Sequence, residues 1–216
     1  MNPHKILNFP ATDLVILAGG QARRMNGLNK LLQTFDEEIQ LIKIYNTLQS
    51  QVNQVWINSH RDHALYTQLM PTVQCFQDDH TGFQGPLMGM KTAWSKLQSG
   101  FVLFVPCDVT FIPEDVLEKL HQTLTQNLLS DVAVVNINGQ ALYPFCLMRR
   151  TAVPILEQHL ALNQRSLKTC FQDLAHSELV FENNTLIFHS INSLDELQQH
   201  RQIKKLLDSQ LILKNA

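Results

Sequence analysis

The residues most able to do chemistry stand together early in the chain, in Leu17-Ala18-Gly19-Gly20-Gln21-Ala22-Arg23-Arg24-Met25-Asn26-Gly27-Leu28-Asn29-Lys30. Two glycines without Cβ atoms let backbone N–H groups come close to an anion. Arg24 adds a planar fork for phosphate oxygens and Lys30 a compact point charge. With Arg23 these side chains make a local basic pocket able to neutralise a polyphosphate and to stabilise charge that grows during transfer. Gly19-Gly20 alone would fit an ordinary turn equally well; the spacing to Arg24 and Lys30 favours a phosphate loop. It is neither a dinucleotide fingerprint, since G-x-G-x-x-G is absent, nor a Walker loop, since no Gly-Lys-Ser/Thr follows.

Four further candidates follow in chain order. Asn58 ends an apolar run and by type alone reads as a strand-end asparagine satisfying a turn. Asp78 by itself reads as a solvated loop acid. Gly85-Pro86-Leu87-Met88-Gly89 opens a helical segment; proline suits the first turn, and the flanking glycines would let that helix start lie against a ligand. Asp108 follows the most apolar run. It fits either a turn cap or a hard oxygen ligand for magnesium shared with substrate phosphates. Among the nine histidines no compelling pairing with a carboxylate stands out.

These residues need a scaffold that brings them to one edge. Apolar runs at 13–18, 54–58, 72–76 and 101–105 read as buried strands, and 132–136 and 141–148 as strands joined by an Asn138-Gly139 turn. Two short strands are expected at 178–181 and 185–189. Helical spacing marks 39–51, 63–70, 86–97, 114–126, 153–162, 166–174 and 195–207. Alternating strands and helices predict an α/β fold, a mostly parallel sheet with helices on both faces. In such sheets ligands sit beyond the carboxyl ends of the strands, where Gly19, Asn58 and Asp108 would all fall.

With 216 residues, 44% hydrophobic and 17% charged, the chain suits one globular domain. A net charge of -2 argues against a general nucleic-acid binder. No run is long enough to span a bilayer. Four scattered cysteines form no zinc-like cluster, and no signal sequence is evident at the start, so a cytoplasmic protein with free thiols is expected.

The pattern Leu-Ala-Gly-Gly-x-x-x-Arg-Met-x-Gly-x-x-Lys resembles the signature loop of the molybdenum cofactor guanylyltransferase family. That loop commonly reads Arg-Met-Gly-Gly-x-Asp-Lys. Here Arg24, Met25, Gly27 and Lys30 match, Asn26 replaces a glycine and Asn29 the aspartate. Asparagine reaches positive φ more readily than most residues, so Asn26 is compatible with the turn. Gly85–Gly89 matches the family's Gly-Pro-Leu-x-Gly, and Pro106-Cys107-Asp108 its Pro-Cys-Asp. Tyr143-Pro144, Arg165-Ser166-Leu167 and Asn192 followed by Asp195-Glu196-Leu197 are similar to later family segments. Ser190 stands where another asparagine is frequent, and the Asn-Gly-Lys-Pro hairpin is replaced by 36–40.

The resemblance implies a Rossmann-like nucleotidyltransferase fold, similar to nucleotide-diphospho-sugar transferases. It implies one domain over 1–216, with a nucleotide-binding half at about 13–110 and an acceptor-binding half at about 111–216. The implied reaction moves GMP from GTP to the terminal phosphate of molybdenum-molybdopterin and releases pyrophosphate. Arg24, Lys30 and Asp108 would be catalytic, and Asp108 would hold Mg2+. GTP would be bound by Leu17, Ala18, Gly19, Gly20, Lys30, Asn58, Asp78 and Asp108, the acceptor by Pro144, Arg165, Ser166 and Asn192. Implied partners are molybdoenzyme chaperones or other cofactor-biosynthesis proteins. Two rivals stay open: a CTP- or sugar-phosphate-specific nucleotidyltransferase, and a catalytically impaired copy that binds nucleotide or pterin as an accessory protein.

Overall fold

The computed structural model describes residues 9–20, 23–80 and 84–214. Seven strands form one sheet: β1 (Thr12–Leu17), β2 (Val55–Asn58), β3 (Gln74–Phe76), β4 (Phe101–Pro106), β5 (Val132–Ile137), β6 (Gln140–Arg149) and β7 (Ser177–Phe181). Their order is β3-β2-β1-β4-β6-β5-β7. Six run in one direction, and β6 lies antiparallel between β4 and β5. The hairpin from β5 to β6 turns on Asn138 and Gly139 with φ of 52° and 80°, as the dipeptide predicts.

Every residue of β1 and β5 is buried, so both faces of the sheet must be covered. Leu14, Ile16, Leu103, Val105, Ala133 and Val135 point to one face. There they meet α1 (Gln40–Leu48), α2 (His63–Leu69) and α4 (Val116–Gln126). Their strand neighbours Val15, Leu17, Val102, Phe104, Val132 and Val134 point to the other face. There α3 (Pro86–Lys96), α5 (Val153–Ala161) and α6 (Leu167–Asp173) pack. The period-2 alternation of apolar side chains on both faces makes this a three-layer α/β sandwich. No helix among the described residues is long and apolar enough to cross a membrane.

The last helix, α7 (Leu194–Lys214), extends beyond the 195–207 expected. It returns to the start of the chain: Ile191 and Leu197 bury Met25 and Phe35 in a third, small apolar cluster. Arg201 donates to the Thr34 carbonyl at 2.9 and 2.6 Å. His200 Nε2 meets Asp36 Oδ1 at 2.7 Å, and Lys43 bonds the other oxygen. Burial alone would push the Asp36 carboxyl up, but the bonds from His200 and Lys43 hold it well below the usual carboxylate range.

One expected element is absent. Residues 185–189 form no strand; Ser190 makes only an isolated bridge to Val109. The carbonyls of Phe188 and His189 are taken instead by the Thr110 hydroxyl and N–H, so the segment is tied across the end of β4 rather than added to the sheet.

At the opposite end of the sheet, Thr12 Oγ1 donates to the Pro10 carbonyl at 2.9 Å, leaving it to accept from His121 Nε2 at 2.8 Å. Phe9 and Phe101 flank the imidazole, each 4.9 Å away. Burial, with Arg149 nearby, pushes His121 down to about 4. The unfolded chain then binds the extra proton first, so stability is complete above the ordinary histidine value and lost as pH falls from about 6.5 towards 4. The loss is on the order of 3 kcal/mol. Melting curves between pH 7 and 4.5 should show a steeper decline in the native protein than in His121→Gln; parallel curves would contradict the assignment.

Candidate active site

The sheet order reverses between β1 and β4: from β1 the chain moves outward to β2, whereas β4 lies on the other side. Ligand crevices of open α/β sheets form at such a switch point. Register places Leu17 abreast of Asn58 and Pro106 at the carboxyl edge. Ala18 N donates to the Asn58 carbonyl at 2.8 Å and Cys107 N to the Leu17 carbonyl at 3.1 Å, fixing the loops that leave these strands. Beyond them opens a cavity of about 520 Å³. Leu17, Ala18, Gly19, Gly20, Arg24 and Lys30 line it from the first loop. Asn58, Asp78, Asp108, Pro144 and Asn192 line it from elsewhere.

The first loop is built from two short 3-10 turns, Arg23–Met25 and Lys30–Leu32. Gln21, Ala22 and the Arg23 side chain lie outside what is described. Asn26 and Gly27 both take positive φ, 51° and 76°, so the asparagine does adopt the turn geometry. Met25 is fully buried against Phe35, Ile191 and Leu197 and pins the loop to the C-terminal helix. Asn29 caps the second turn, its side chain accepting from Leu31 N. Arg24 is exposed at the cavity and is not engaged by any described residue.

At the cavity wall Lys30 Nζ donates to Asp108 Oδ2 at 2.8 Å and to Asn192 Oδ1 at 2.9 Å. Asn192 is itself held: its N–H donates to Glu196 Oε2 at 2.6 Å and its Nδ2 to Ser190 Oγ at 2.9 Å. Across the cavity Asp78, only 5% exposed, accepts from Asn58 Nδ2 at 2.8 Å and meets His60 Nε2 at 3.2 Å. Cys107 is half-buried beside Lys30 and Asp108; desolvation pushes its thiol up to about 12, so it stays neutral.

Gly85 takes φ 81° and precedes Pro86 at the start of α3, where no side chain caps the helix. Gly89 has a different reason from the one its spacing suggested. A Cβ there would run into Asn58 Oδ1, so the glycine makes room for that asparagine rather than for an open ligand path.

Two residues expected on the acceptor side stand apart from this cavity, and the reading of the histidines needs correction. Arg165 and Ser166 do not line the cavity: Arg165 donates to Asn163 Oδ1 at 2.8 Å, and Ser166 caps α6 through Thr169 N. Histidine–carboxylate pairs do exist, at His60–Asp78, His159–Asp173, His176–Glu178 and His200–Asp36. Most join residues too far apart in sequence for any spacing rule to find. Sequence reasoning passed over Arg61 at the cavity and gave Glu196, named only within a family-like segment, no part in holding Asn192. Only Glu196 left a signal, as the acid of a Ser193-x-x-Glu196 capping pattern.

A glycine loop, two cations and a strand-end carboxylate around one crevice of an α/β sheet make a site for a polyphosphate. A family model described as MobA-like NTP transferase domain matches residues 14–179, and the chain belongs to that family. A protein of Acinetobacter baumannii named molybdenum cofactor guanylyltransferase is 58% identical over 196 residues, covering 91% of this chain and 94% of the relative. One of Pasteurella multocida with the same name is 41% identical over 186 residues, covering 85% and 96%. Among solved structures, molybdopterin-guanine dinucleotide biosynthesis protein A from Archaeoglobus fulgidus shares the fold with a TM-score of 0.66 at 18% identity, covering 88% of this chain and 97% of that one.

The Gly89–Asn58 contact yields a test. Gly89→Ala should destabilise the protein by about 1–3 kcal/mol through overpacking. Asn58→Ala added to it should recover most of that loss in thermal melts. An additive double variant would show that the two positions do not press on each other.

Proposed function

We propose that the chain transfers GMP from GTP to the terminal phosphate of molybdenum-bound molybdopterin and releases pyrophosphate. One observation carries this reading: Lys30, held between Asp108 and Asn192, stands at the head of a cavity that the glycine loop and Asn58–Asp78 complete. The names of the 58% and 41% identical relatives support guanylyl transfer among the activities such a cavity could serve. Residues 13–110 supply the nucleotide side. Asn192 and Pro144 come from 111–216 and line the same cavity, where they would meet the acceptor. The four free cysteines accord with a cytoplasmic setting.

In this reaction an acceptor phosphate oxygen attacks the α-phosphorus of GTP, and the bond to the β-phosphate oxygen breaks. The nucleophile is already an anion, so no base is required. Lys30, Arg24 and the Gly19–Gly20 backbone amides offset charge on the α-phosphate and the departing pyrophosphate. Leu17, Ala18, Asn58 and Asp78 seat the nucleoside. The donor set fits a magnesium ion carried on the triphosphate: Asp108 Oδ2 accepts from Lys30, while its Oδ1 accepts from no described residue. Among the described residues no three His, Cys, Asp or Glu side chains gather into a metal cluster. A single carboxylate plus phosphate oxygens is a common magnesium arrangement. Bound there, the ion would orient the phosphates and polarise the α-phosphate.

Two measurements test the reading. Pyrophosphate release with GTP and the loaded pterin should exceed release with CTP or UTP at least about tenfold, which is a difference of only 1.4 kcal/mol. Equal rates would favour another nucleotidyltransferase, and no release an accessory role. Asp108→Ala should lower turnover by roughly 10²–10³-fold at saturating magnesium. Undiminished transfer would remove Asp108 from the metal and phosphate site.

A further inference from the structure

We propose that Arg61 and Asp62, which follow β2, are positioning residues for the phosphate loop, and that Asp62 replaces the acidic charge that the family's loop carries at position 29. The proposal rests on the nucleotidyl-transfer reading of the cavity and concerns how its loop is held.

The Asn29 amide is fully used. Its Oδ1 accepts from Leu31 N at 3.0 Å, which fixes the orientation of the group. Its Nδ2 then donates to Asp62 Oδ2 at 2.6 Å and to Tyr66 Oη at 2.7 Å. Tyr66 is fully buried, and burial pushes its phenol up, so it stays protonated. Two residues earlier, Arg61 Nη1 donates to the Gly27 carbonyl at 2.6 Å. Consecutive side chains of the β2–α2 connection therefore grip both ends of the turn 27–29, and the next residue is Lys30.

Asp62 itself carries the mark of this task. It stands at the N-cap of α2 with φ 61° and ψ 20°, a left-handed conformation, and makes no side-chain bond to the helix. An aspartate at this position ordinarily turns its carboxylate onto the first free N–H groups of its helix. Here the carboxylate is spent on Asn29, and the backbone accepts a disfavoured conformation to aim it there.

The chemistry makes positions 29 and 62 a matched pair. An aspartate at 29 could still accept from Leu31 N, but its other oxygen would face Asp62 at hydrogen-bond distance. Two carboxylates so placed cannot both ionise. With aspartate at 29 the partner must be a donor, and with Asp62 present position 29 must be one. Asn29 is thus a compensated departure from the family loop rather than a mark of lost activity.

The test is a cycle on the full chain, read by GTP affinity, by KM and kcat for transfer, and by amide exchange. Asn29→Asp alone should weaken GTP binding and raise its KM about tenfold with a smaller fall in kcat; Asn29→Asp/Asp62→Asn, with donor and acceptor exchanged, should return to within about threefold of the native protein. In the protein without nucleotide, exchange at Leu31 and Leu32 should speed up in the single variant and slow again in the double one, with melting temperatures reporting any loss of fold. Exchange and affinity unchanged in Asn29→Asp, or a double variant no better than the sum of the singles, would overturn the proposal. Failure of the native protein to bind GTP would instead count against the functional reading, while the exchange arm would still decide the loop.

Discussion

The side chain of Lys30 is only 13% exposed, and a charge so far out of water must be paired or it destabilises the fold. Its partners come from 78 and 162 residues further along the chain, at Asp108 and Asn192. Much of the rest can be understood as what lets those three meet. β1 and β4 lie side by side, which brings the exits of the first loop and of Pro106 to one level. The C-terminal segment is carried back over that edge by Thr110, which holds the carbonyls of Phe188 and His189. It is then locked by Ile191 and Leu197 against Met25 and Phe35. Asp36, with His200 and Lys43, adds a charged tie beside that apolar one.

The reversed strand β6 serves the same edge. Running against its neighbours, it presents its early residues, not its late ones, where the other strands end. Pro144 reaches the cavity for that reason. Its register against β5 shifts between the Val134 and Asn136 pairings, leaving extra β6 residues around Pro144. Proline lacks the N–H that a regular ladder would demand, and an interior strand tolerates it at such an irregularity. The proline that reaches the cavity thus stands where the backbone is released from the regular ladder.

What could be read from sequence follows a physical division. Continuous apolar runs reported strands buried on both faces, as at β1 and β4. Asn138-Gly139 reported its own turn, and Asn26 its positive φ, because those preferences are local. Leu17, Gly19, Asn58 and Asp108 were placed at one edge because the ends of parallel strands share an edge. The Asn138-Gly139 turn made β6 antiparallel to β5, but its insertion between β4 and β5 was not legible, since periodicity gives the burial of a strand but not its neighbour. The strand expected at 185–189 failed because its carbonyls are satisfied by Thr110, a long-range partner. Three of the four histidine–carboxylate pairs and the hold of Asp62 on Asn29 escaped for the same reason. Arg165 and Ser166 followed the family pattern, yet lie outside the cavity wall in this structure.

A site for two polyanions also has to explain its own acids. Asp62, Asp78 and Asp108 stand at or beside the cavity, and unpaired they would repel phosphate. Each is matched by a donor: Asn29 for Asp62, Asn58 and His60 for Asp78, Lys30 for Asp108. The acids therefore act as struts that orient amides and an ammonium. Arg24 stands at the cavity with no described partner, whereas Arg61 bonds the Gly27 carbonyl and lies 3.8 Å from the Asp62 carboxylate. With a chain net charge of -2, attraction for a triphosphate cannot come from the molecule as a whole. It has to come from within the cavity, where Arg24 is left unpaired and acts on a phosphate at short range. Lys30 is part of both balances, the paired one and the attractive one, and so its surroundings are fixed from three directions.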